Sequence, residues 1–186
     1  MRPLIGLCAA LFLAAACASA PEPPMGTSRT AWIVGRDGRA LGQATFREGP
    51  TGVLIRVESS EGGRLPPGWH GLHLHTRGDC SDFANGFQAA GGHLTLDEDI
   101  EHGLMNANGP EAGDLTNLYV APNGAFGAEL FSPYVSMGPT TDRDRAQLLD
   151  ADGAALMIHA EPDDLVSQPV GNAGGRLACA ALTQLP

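Results

Sequence analysis

The fold of this chain is decided by the stretch Trp69-His70-Gly71-Leu72-His73-Leu74-His75-Thr76. Leucine and histidine alternate in its second half, and a period of two residues is typical of a β-strand, whose successive side chains point to opposite faces. On one strand, His73 and His75 share a face while Leu72 and Leu74 point into the core. Two imidazoles on one face can bind one metal ion. The stretch therefore predicts a strand that presents two metal ligands.

Short strands separated by turns recur on both sides of this stretch. Gly35-Arg36-Asp37-Gly38 and Pro122-Asn123-Gly124 are turn sequences between β-rich runs, and each predicts a hairpin. The one predicted helix covers residues 141–149, with Thr141 or Asp142 as its N-cap. Many short strands with such turns indicate an all-β antiparallel sandwich or barrel in a single domain. The predicted strands, about eight in all, cover residues 30–35, 41–46, 53–58, 69–76, 115–120, 125–131, 154–159 and 176–182.

Composition limits the classes of function. The chain has 186 residues, of which 43% are hydrophobic, so the sequence favours a folded core over disorder. All eleven cationic residues are arginine and the formal net charge is −10, which disfavours binding to nucleic acid. We therefore expect no nucleic-acid partner. After residue 20, no apolar run reaches the roughly 20 residues needed to cross a bilayer.

The first 20 residues have the composition of a secretory leader, with a cationic start and then an apolar run. Two cleavage positions remain open. A cut after Ala20 follows an ordinary small-residue site, although Pro21 disfavours it. A cut after residue 16 leaves Cys17 as the lipid-anchored first residue of a lipoprotein, and we prefer this alternative. Either cut predicts an exported protein, in which the proline-rich residues 21–29 form a tether ahead of one domain over residues 30–186.

Export bears on the cysteines, because disulfides persist in oxidising compartments. Cys8 and Cys17 belong to the leader, which leaves Cys80 and Cys179 in the mature chain. These two cysteines are therefore predicted to form one long-range disulfide.

Two long stretches lack a strand pattern, residues 77–113 and 160–175. Loops above about 12 to 15 residues are uncommon in compact domains unless they are functional, so both are predicted to be functional loops. Imidazoles with few carboxylates suit copper or zinc better than magnesium or calcium. The six histidines all lie in the first stretch, on the strand that enters it or just before the second: His70, His73, His75, His93, His102 and His159.

The sequence resembles a known family, the copper/zinc superoxide dismutases, and in particular its exported bacterial branch. The resemblance covers essentially the whole mature domain, and it implies an eight-stranded antiparallel Greek-key barrel with two long functional loops, in a periplasmic protein. The segments that carry it, in this order, are residues 66–75, Gly78-Asp79-Cys80, Ala90-Gly91-Gly92-His93, Gly113-Asp114-Leu115, His159 with Asp163-Asp164, and residues 171–179.

The resemblance implies a ligand set and further roles. His93 would bridge both metals and take part in catalysis, Asp163 would hydrogen-bond one copper-binding and one zinc-binding histidine, and His70 would be structural. Arg176, the second catalytic residue, would attract the superoxide anion. The same resemblance places the disulfide at Cys80 and Cys179. The copper ligands would be His73, His75, His93 and His159, and the zinc ligands would be His93, His102, Asp114 and the residue at position 111.

Position 111 departs from the family pattern, because Glu111 stands where the family has a histidine. Zinc accepts carboxylate oxygen, but a shell of two histidines, a glutamate and an aspartate is harder and more anionic than one of three histidines and an aspartate. We expect a weakened zinc site, and the occupancy of zinc stays open.

The sequence predicts an exported superoxide dismutase that converts superoxide to oxygen and hydrogen peroxide by cycling copper between Cu(II) and Cu(I). The alternative is a noncatalytic copper-binding or sequestering protein on the same barrel. Arg176 beside intact copper ligands favours the enzyme, because storage has no need of an anion-attracting guanidinium. The sequence makes no prediction of the oligomeric state.

Overall fold

The computed structural model describes residues 26–60, 64–140 and 144–183. Within these ranges the chain forms eleven strands and two single turns of 3-10 helix, at Phe83–Asn85 and Gln88–Ala90. The strands are β1 (Ser28–Gly35), β2 (Ala40–Gly49), β3 (Gly52–Ser59), β4 (Gly68–His70), β5 (Leu72–His75), β6 (Leu118–Val120), β7 (Gly127–Ser132), β8 (Val135–Ser136), β9 (Ala146–Gln147), β10 (Ala154–His159) and β11 (Arg176–Leu182).

Several sequence predictions fall on residues outside these ranges. They are the leader over residues 1–20, the candidate anchor Cys17 and the helix N-caps Thr141 and Asp142. The tether predicted over residues 21–29 is described only from Gly26 onward, and β1 begins inside it, at Ser28. No helix in the described ranges is long and apolar enough to span a membrane.

Eight strands close into a barrel. Seven of them form one antiparallel sheet in the order β5-β10-β11-β1-β2-β3-β7. β4 pairs with β6, and a bridge between Val120 and Phe126 joins β6 to the start of β7. β4 and β5 are two halves of one bent strand, because only Gly71 separates them. Counted so, the ring has eight members, and the predicted eight-stranded antiparallel barrel is confirmed.

The chain order around the ring gives the Greek key. β1, β2 and β3 are neighbours, but the chain then crosses to β4 and β5 on the far side. The β6–β7 hairpin returns to fill the gap beside β3, and the β10–β11 hairpin fills the gap beside β1.

The predicted helix over residues 141–149 is wrong where the structure describes it, from residue 144 onward. Residues 146–147 form β9, which pairs in parallel with β8. The N–H groups of Ala146 and Leu148 donate to the carbonyl oxygens of Tyr134 and Ser136, both at 2.8 Å. These main-chain donors therefore serve a distant segment and not a local helical turn.

Two apolar clusters lie on opposite faces of β5. The barrel core contains the fully buried Leu72 and Leu74, as their alternation predicted. The side chains of His73 and His75 point to the outer face, which is covered by the loop between β5 and β6. A second cluster on that outer face joins the loop to the barrel, and its buried members are Phe87, Ala90, Ala155, Met157 and Cys179. Histidines that face outward from the barrel are therefore still buried.

Candidate metal centre

Main-chain hydrogen bonds bring two distant parts of the long loop to the free edge of β5. The Leu74 N–H donates to the Gly113 carbonyl at 2.8 Å, and the Leu74 carbonyl accepts from the Leu94 N–H at 2.8 Å. The Gly113 N–H donates in turn to the Leu94 carbonyl at 2.7 Å. This pairing places His93 opposite His75, and Asp114 opposite His73.

Four buried imidazoles converge on the outer face of β5 and on the end of β10. One ring nitrogen of each has a hydrogen-bond partner, and the other has none within the part of the chain that the structure describes. Their ligand atoms lie within 4.8 Å of one another. The nitrogens without a partner are His73 Nδ1, His75 Nε2, His93 Nε2 and His159 Nε2. We call these four residues the imidazole set.

The partnered nitrogens fix the ring orientations of the imidazole set. His75 Nδ1 donates to the Gly91 carbonyl at 2.9 Å, and His159 Nδ1 donates to the Gly174 carbonyl at 3.2 Å. Burial lowers the pKa of His75 to about 2 and that of His159 to about 3, so both rings are neutral near pH 7. A neutral imidazole has a lone pair for a metal. The pKa of His93 is instead raised, because its hydrogen bonds to Asp114 and Glu111 outweigh burial. Imidazole nitrogens are ligands that suit copper.

A second set of four donors adjoins the first and shares His93. His93 Nδ1 lies 2.8 Å from Glu111 Oε2 and 3.6 Å from Asp114 Oδ1. His102 Nδ1 lies 3.6 Å from the same glutamate oxygen and 2.7 Å from the same aspartate oxygen. Ligands about 2.0 to 2.1 Å from a tetrahedral zinc ion would stand about 3.3 Å apart. We call these four residues the mixed set, and its four N···O distances, from 2.7 to 3.6 Å, are close to this value. The ligand atoms of His93, His102 and Asp114 also lie within 4.8 Å of one another, together with that of His73 and without Glu111.

The charges of the mixed set are held by mutual hydrogen bonds. Burial alone would lower the pKa of His102, but hydrogen bonds to Asp114, Asp163 and Glu111 outweigh it and raise that pKa to about 11. Burial alone would raise the pKa of Asp114, but hydrogen bonds from His102 and His93 hold it well below its usual range. The aspartate therefore carries a negative charge that a cation can neutralise.

Comparison with known proteins agrees with this donor arrangement. The family model described as copper/zinc superoxide dismutase matches residues 40–182. The chain belongs to the copper/zinc superoxide dismutase family. A superoxide dismutase [Cu-Zn] from Caulobacter vibrioides is 42% identical over 155 residues, which cover 83% of this chain and 85% of that protein. Superoxide dismutase [Cu-Zn] 2 from Aquifex aeolicus is 34% identical over 151 residues, covering 81% of this chain and 83% of that protein.

Solved structures support the same dismutase fold. A double mutant of a superoxide dismutase-like protein from Bacillus subtilis matches with a TM-score of 0.76 at 33% identity, covering 87% of this chain and 100% of that one. The copper/zinc superoxide dismutase from Brucella abortus matches with a TM-score of 0.62, covering 83% of this chain and 99% of that one. Its 24% identity supports the fold alone.

In this dismutase-family chain, Asp163 connects the two sets of donors. Its Oδ2 accepts from His73 Nε2 at 2.8 Å, and its Oδ1 accepts from His102 Nε2 at 3.2 Å. Asn117 holds the aspartate in place, because its side chain accepts from the Asp163 N–H and donates to the Asp163 carbonyl, both at 2.8 Å. One carboxylate thus sets the orientation of one ring in each set.

Replacing Asp163 by asparagine is expected to weaken both copper and zinc binding by about 10- to 100-fold, the usual cost of losing a group that orients a ligand. An amide cannot accept from both imidazoles as a carboxylate does, so one ring loses its orientation. Titration of the metal-free protein with each metal measures the effect. Glu161→Gln, which changes an exposed carboxylate two residues away, is the matched control. Unchanged affinities in the Asp163 variant would contradict this role.

Arg176 lies beside the imidazole set. Its Nη1 donates to the Phe87 carbonyl and its Nη2 to the Gly91 carbonyl, each at 2.6 Å. The Gly91 carbonyl also accepts from His75 Nδ1, so one oxygen contacts both the guanidinium and a ring of the set. Arg176 is also the cross-strand partner of His159. Its positive charge helps to lower the pKa of both histidines, after burial.

His70 is buried but lies outside both sets. Its two ring nitrogens each lie 2.8 Å from a main-chain carbonyl oxygen, one of His159 and one of Pro66. Both nitrogens are therefore engaged, and neither is available to a metal.

The groups that hold the side chains of both sets and of Arg176 were mostly not predictable from the sequence. Main-chain carbonyls of Phe87, Gly91 and Gly174 have no signature in a sequence, because every residue carries a carbonyl. Gln168 was not predicted either. Its side chain accepts from the His102 N–H at 3.0 Å and donates to the His102 carbonyl at 2.7 Å. Asn117 had a signal: asparagine is unfavourable inside the strand predicted over residues 115–120.

Proposed function

We propose that this chain is a superoxide dismutase that holds copper in the imidazole set and zinc in the mixed set. Two superoxide anions and two protons give one oxygen and one hydrogen peroxide. The observation that carries the proposal is the convergence of four buried, unpartnered imidazole nitrogens beside a guanidinium. Copper, when bound, supplies the electron transfer by alternating between Cu(II) and Cu(I).

Arg176 binds and orients the anion. A guanidinium has five N–H donors, of which the carbonyls of Phe87 and Gly91 use two. Both contacts also hold the side chain in one orientation before an anion arrives. The remaining donors and the fixed positive charge attract superoxide and keep it beside the imidazole set.

His93 links the two sets and serves as the proton carrier. Its Nδ1 belongs to the mixed set, and its Nε2 belongs to the imidazole set. The mixed set holds the ring in place through Nδ1, so Nε2 can take up and release a proton without the ring turning away. A proton at Nε2 can be handed to the peroxide product.

We also propose that the protein acts in an exported, oxidising compartment, the periplasm, and that Cys17 anchors it to a membrane as a lipoprotein. The Cys80–Cys179 disulfide and the leader composition support export. Mass spectrometry of the mature protein tests the anchor: a lipid-modified Cys17 at the N-terminus supports it, and a chain that starts at Pro21 contradicts it.

The function is tested by metal analysis of the purified protein together with a superoxide-consumption assay. We expect about one copper per chain and a rate that disappears when copper is removed and returns when it is restored. Copper binding without any increase in the rate of superoxide consumption would overturn the enzymatic function and support the sequestering alternative. Protein that binds no copper would overturn both.

Arg176→Ala is expected to lower the second-order rate by about 10- to 100-fold, as for a charge that concentrates an anion at its target. Copper content should stay unchanged, since Arg176 contributes no ligand. The wild-type rate should also fall more steeply with added salt than the variant rate, because salt screens the attraction. Stopped-flow measurement of superoxide decay checks both effects. Arg47→Ala, which removes an exposed charge from β2, is the control, and an Arg176 variant as fast as this control would contradict the role.

A further inference from the structure

The two donor sets adjoin each other and differ in chemistry. The imidazole set offers four nitrogens. The mixed set, in which Glu111 adjoins His93 and His102, offers two nitrogens and two carboxylate oxygens. The rings of His73 and His93 lie 4.1 Å apart between centroids, and the ligand atoms of His73, His93, His102 and Asp114 all lie within 4.8 Å of one another. A copper ion can therefore approach His93 from either side, and distance alone does not keep it out of the mixed set.

The type of donor atom must therefore decide which of the two sets binds copper and which binds zinc. Copper(II) binds more tightly than zinc to most sites of this kind, so a protein selects against copper through ligand type and geometry. Imidazole nitrogen suits copper well, and a hard carboxylate oxygen reduces its advantage. Each carboxylate in the mixed set therefore narrows the preference for copper over zinc.

We propose that Glu111 is the residue that keeps copper out of the mixed set, so that copper enters the imidazole set alone. The inference rests on the proposed function, because it takes copper and zinc as the two metals. Glu111 Oε2 lies 2.8 Å from His93 Nδ1, the nitrogen of the shared ring that faces away from the imidazole set. A copper ion that approached His93 from this side would meet the anionic oxygen of Glu111 in place of a further imidazole.

Of the two carboxylates, Glu111 is the one whose chemistry can change without loss of the local fold. The side chain of Asp114 is fully buried, and its Oδ2 accepts from the N–H groups of Gly103 at 2.7 Å and Glu111 at 2.9 Å. The side chain of Glu111 is 15% exposed, and among the described residues its carboxylate makes ion pairs with the two histidines of the mixed set alone. Asp114 therefore stabilises the loop, whereas a change at Glu111 alters mainly the donor that the mixed set offers to a metal.

The test titrates metal-free protein with Cu(II) in competition with Zn(II) and measures both metals per chain by elemental analysis, with electron paramagnetic resonance to detect a second copper. We expect wild type to take one copper tightly. Glu111→His should take a second copper, and its preference for copper over zinc at the second site should be at least about tenfold higher than in wild type. Equal preferences in the two proteins would overturn the proposal.

Glu111→Gln provides a variant of the same shape without the charge. It should keep the first copper unchanged and bind zinc at least about tenfold more weakly, since zinc loses an anionic ligand. Zinc binding equal to wild type would show that Glu111 is not a ligand and would overturn the proposal. These readouts concern the mixed set. Dismutation and copper binding at the imidazole set are measured separately, so a failure of the proposed function can be told apart from a failure of this proposal.

Discussion

His159→Ala is expected to abolish superoxide dismutation and to weaken copper binding by well over about 100-fold, while the barrel stays folded. Losing a group that merely orients a ligand costs about 10- to 100-fold in metal affinity, so losing a ligand itself should cost more. The imidazole of His159 is buried at the end of β10, and its Nε2 has no partner within the described protein. The loss leaves a bound copper ion with three imidazoles and an open side.

His75→Ala provides an independent check, because His75 comes from β5 and its ring is held by a different carbonyl. Both variants should show the same loss of copper. Copper content by elemental analysis and the rate of superoxide decay are the two readouts, and circular dichroism confirms that the strands persist. Either variant with stoichiometric copper and the full wild-type rate would show that the imidazole set is not the copper site.

Apolar runs bounded by glycine made much of the barrel predictable. The strands β10 and β11 have the predicted bounds, residues 154–159 and 176–182, because each is a largely apolar run that begins directly after a glycine, Gly153 or Gly175. The bend at Gly71 was not predictable, since it depends on a hydrogen bond from the Gly71 N–H to the Glu161 carbonyl, 90 positions along the chain. The wrong helix over residues 141–149 has the same cause, because pairing with β8 decides the backbone there.

The metal centre was predictable to the extent that its members are chemically distinctive. His73 and His75 share the outer face of β5, as the period of two required. The positions of His93 and Asp114 depend on main-chain bonds to Leu74, which have no residue signature. The role proposed for Arg176 came from the resemblance to the family and stays a prediction. The structure adds the carbonyls of Phe87 and Gly91 that hold its side chain.

Breaking the Cys80–Cys179 disulfide is expected to lower the free energy of unfolding by about 4 to 5 kcal/mol, the chain-entropy value for a closed loop of this length. The structure confirms the predicted pairing, with a sequence separation of 99 and Cα atoms 5.8 Å apart. The bond joins the start of the long loop to β11. Cys179 is fully buried among Phe87, Ala90 and Met157, so the bond also fastens the cluster that connects loop and barrel.

The long loop should loosen before the barrel does. It carries His93 and the carbonyls that hold Arg176, whereas the barrel strands keep their ladder hydrogen bonds when the disulfide opens. Reduced wild type and the Cys80→Ala, Cys179→Ala double variant should therefore both bind metals more weakly. Their loop amides should exchange hydrogen faster, with little change in β1, β2 and β3.

Denaturant unfolding measures the stability, and comparison of the two proteins separates the lost cross-link from the small cavity at residue 179, because reduction removes no side-chain atoms. Equal unfolding free energies of the oxidised and reduced protein, with unchanged exchange in the loop, would show that packing of Phe87 and Ala90 alone holds the metal loop on the barrel.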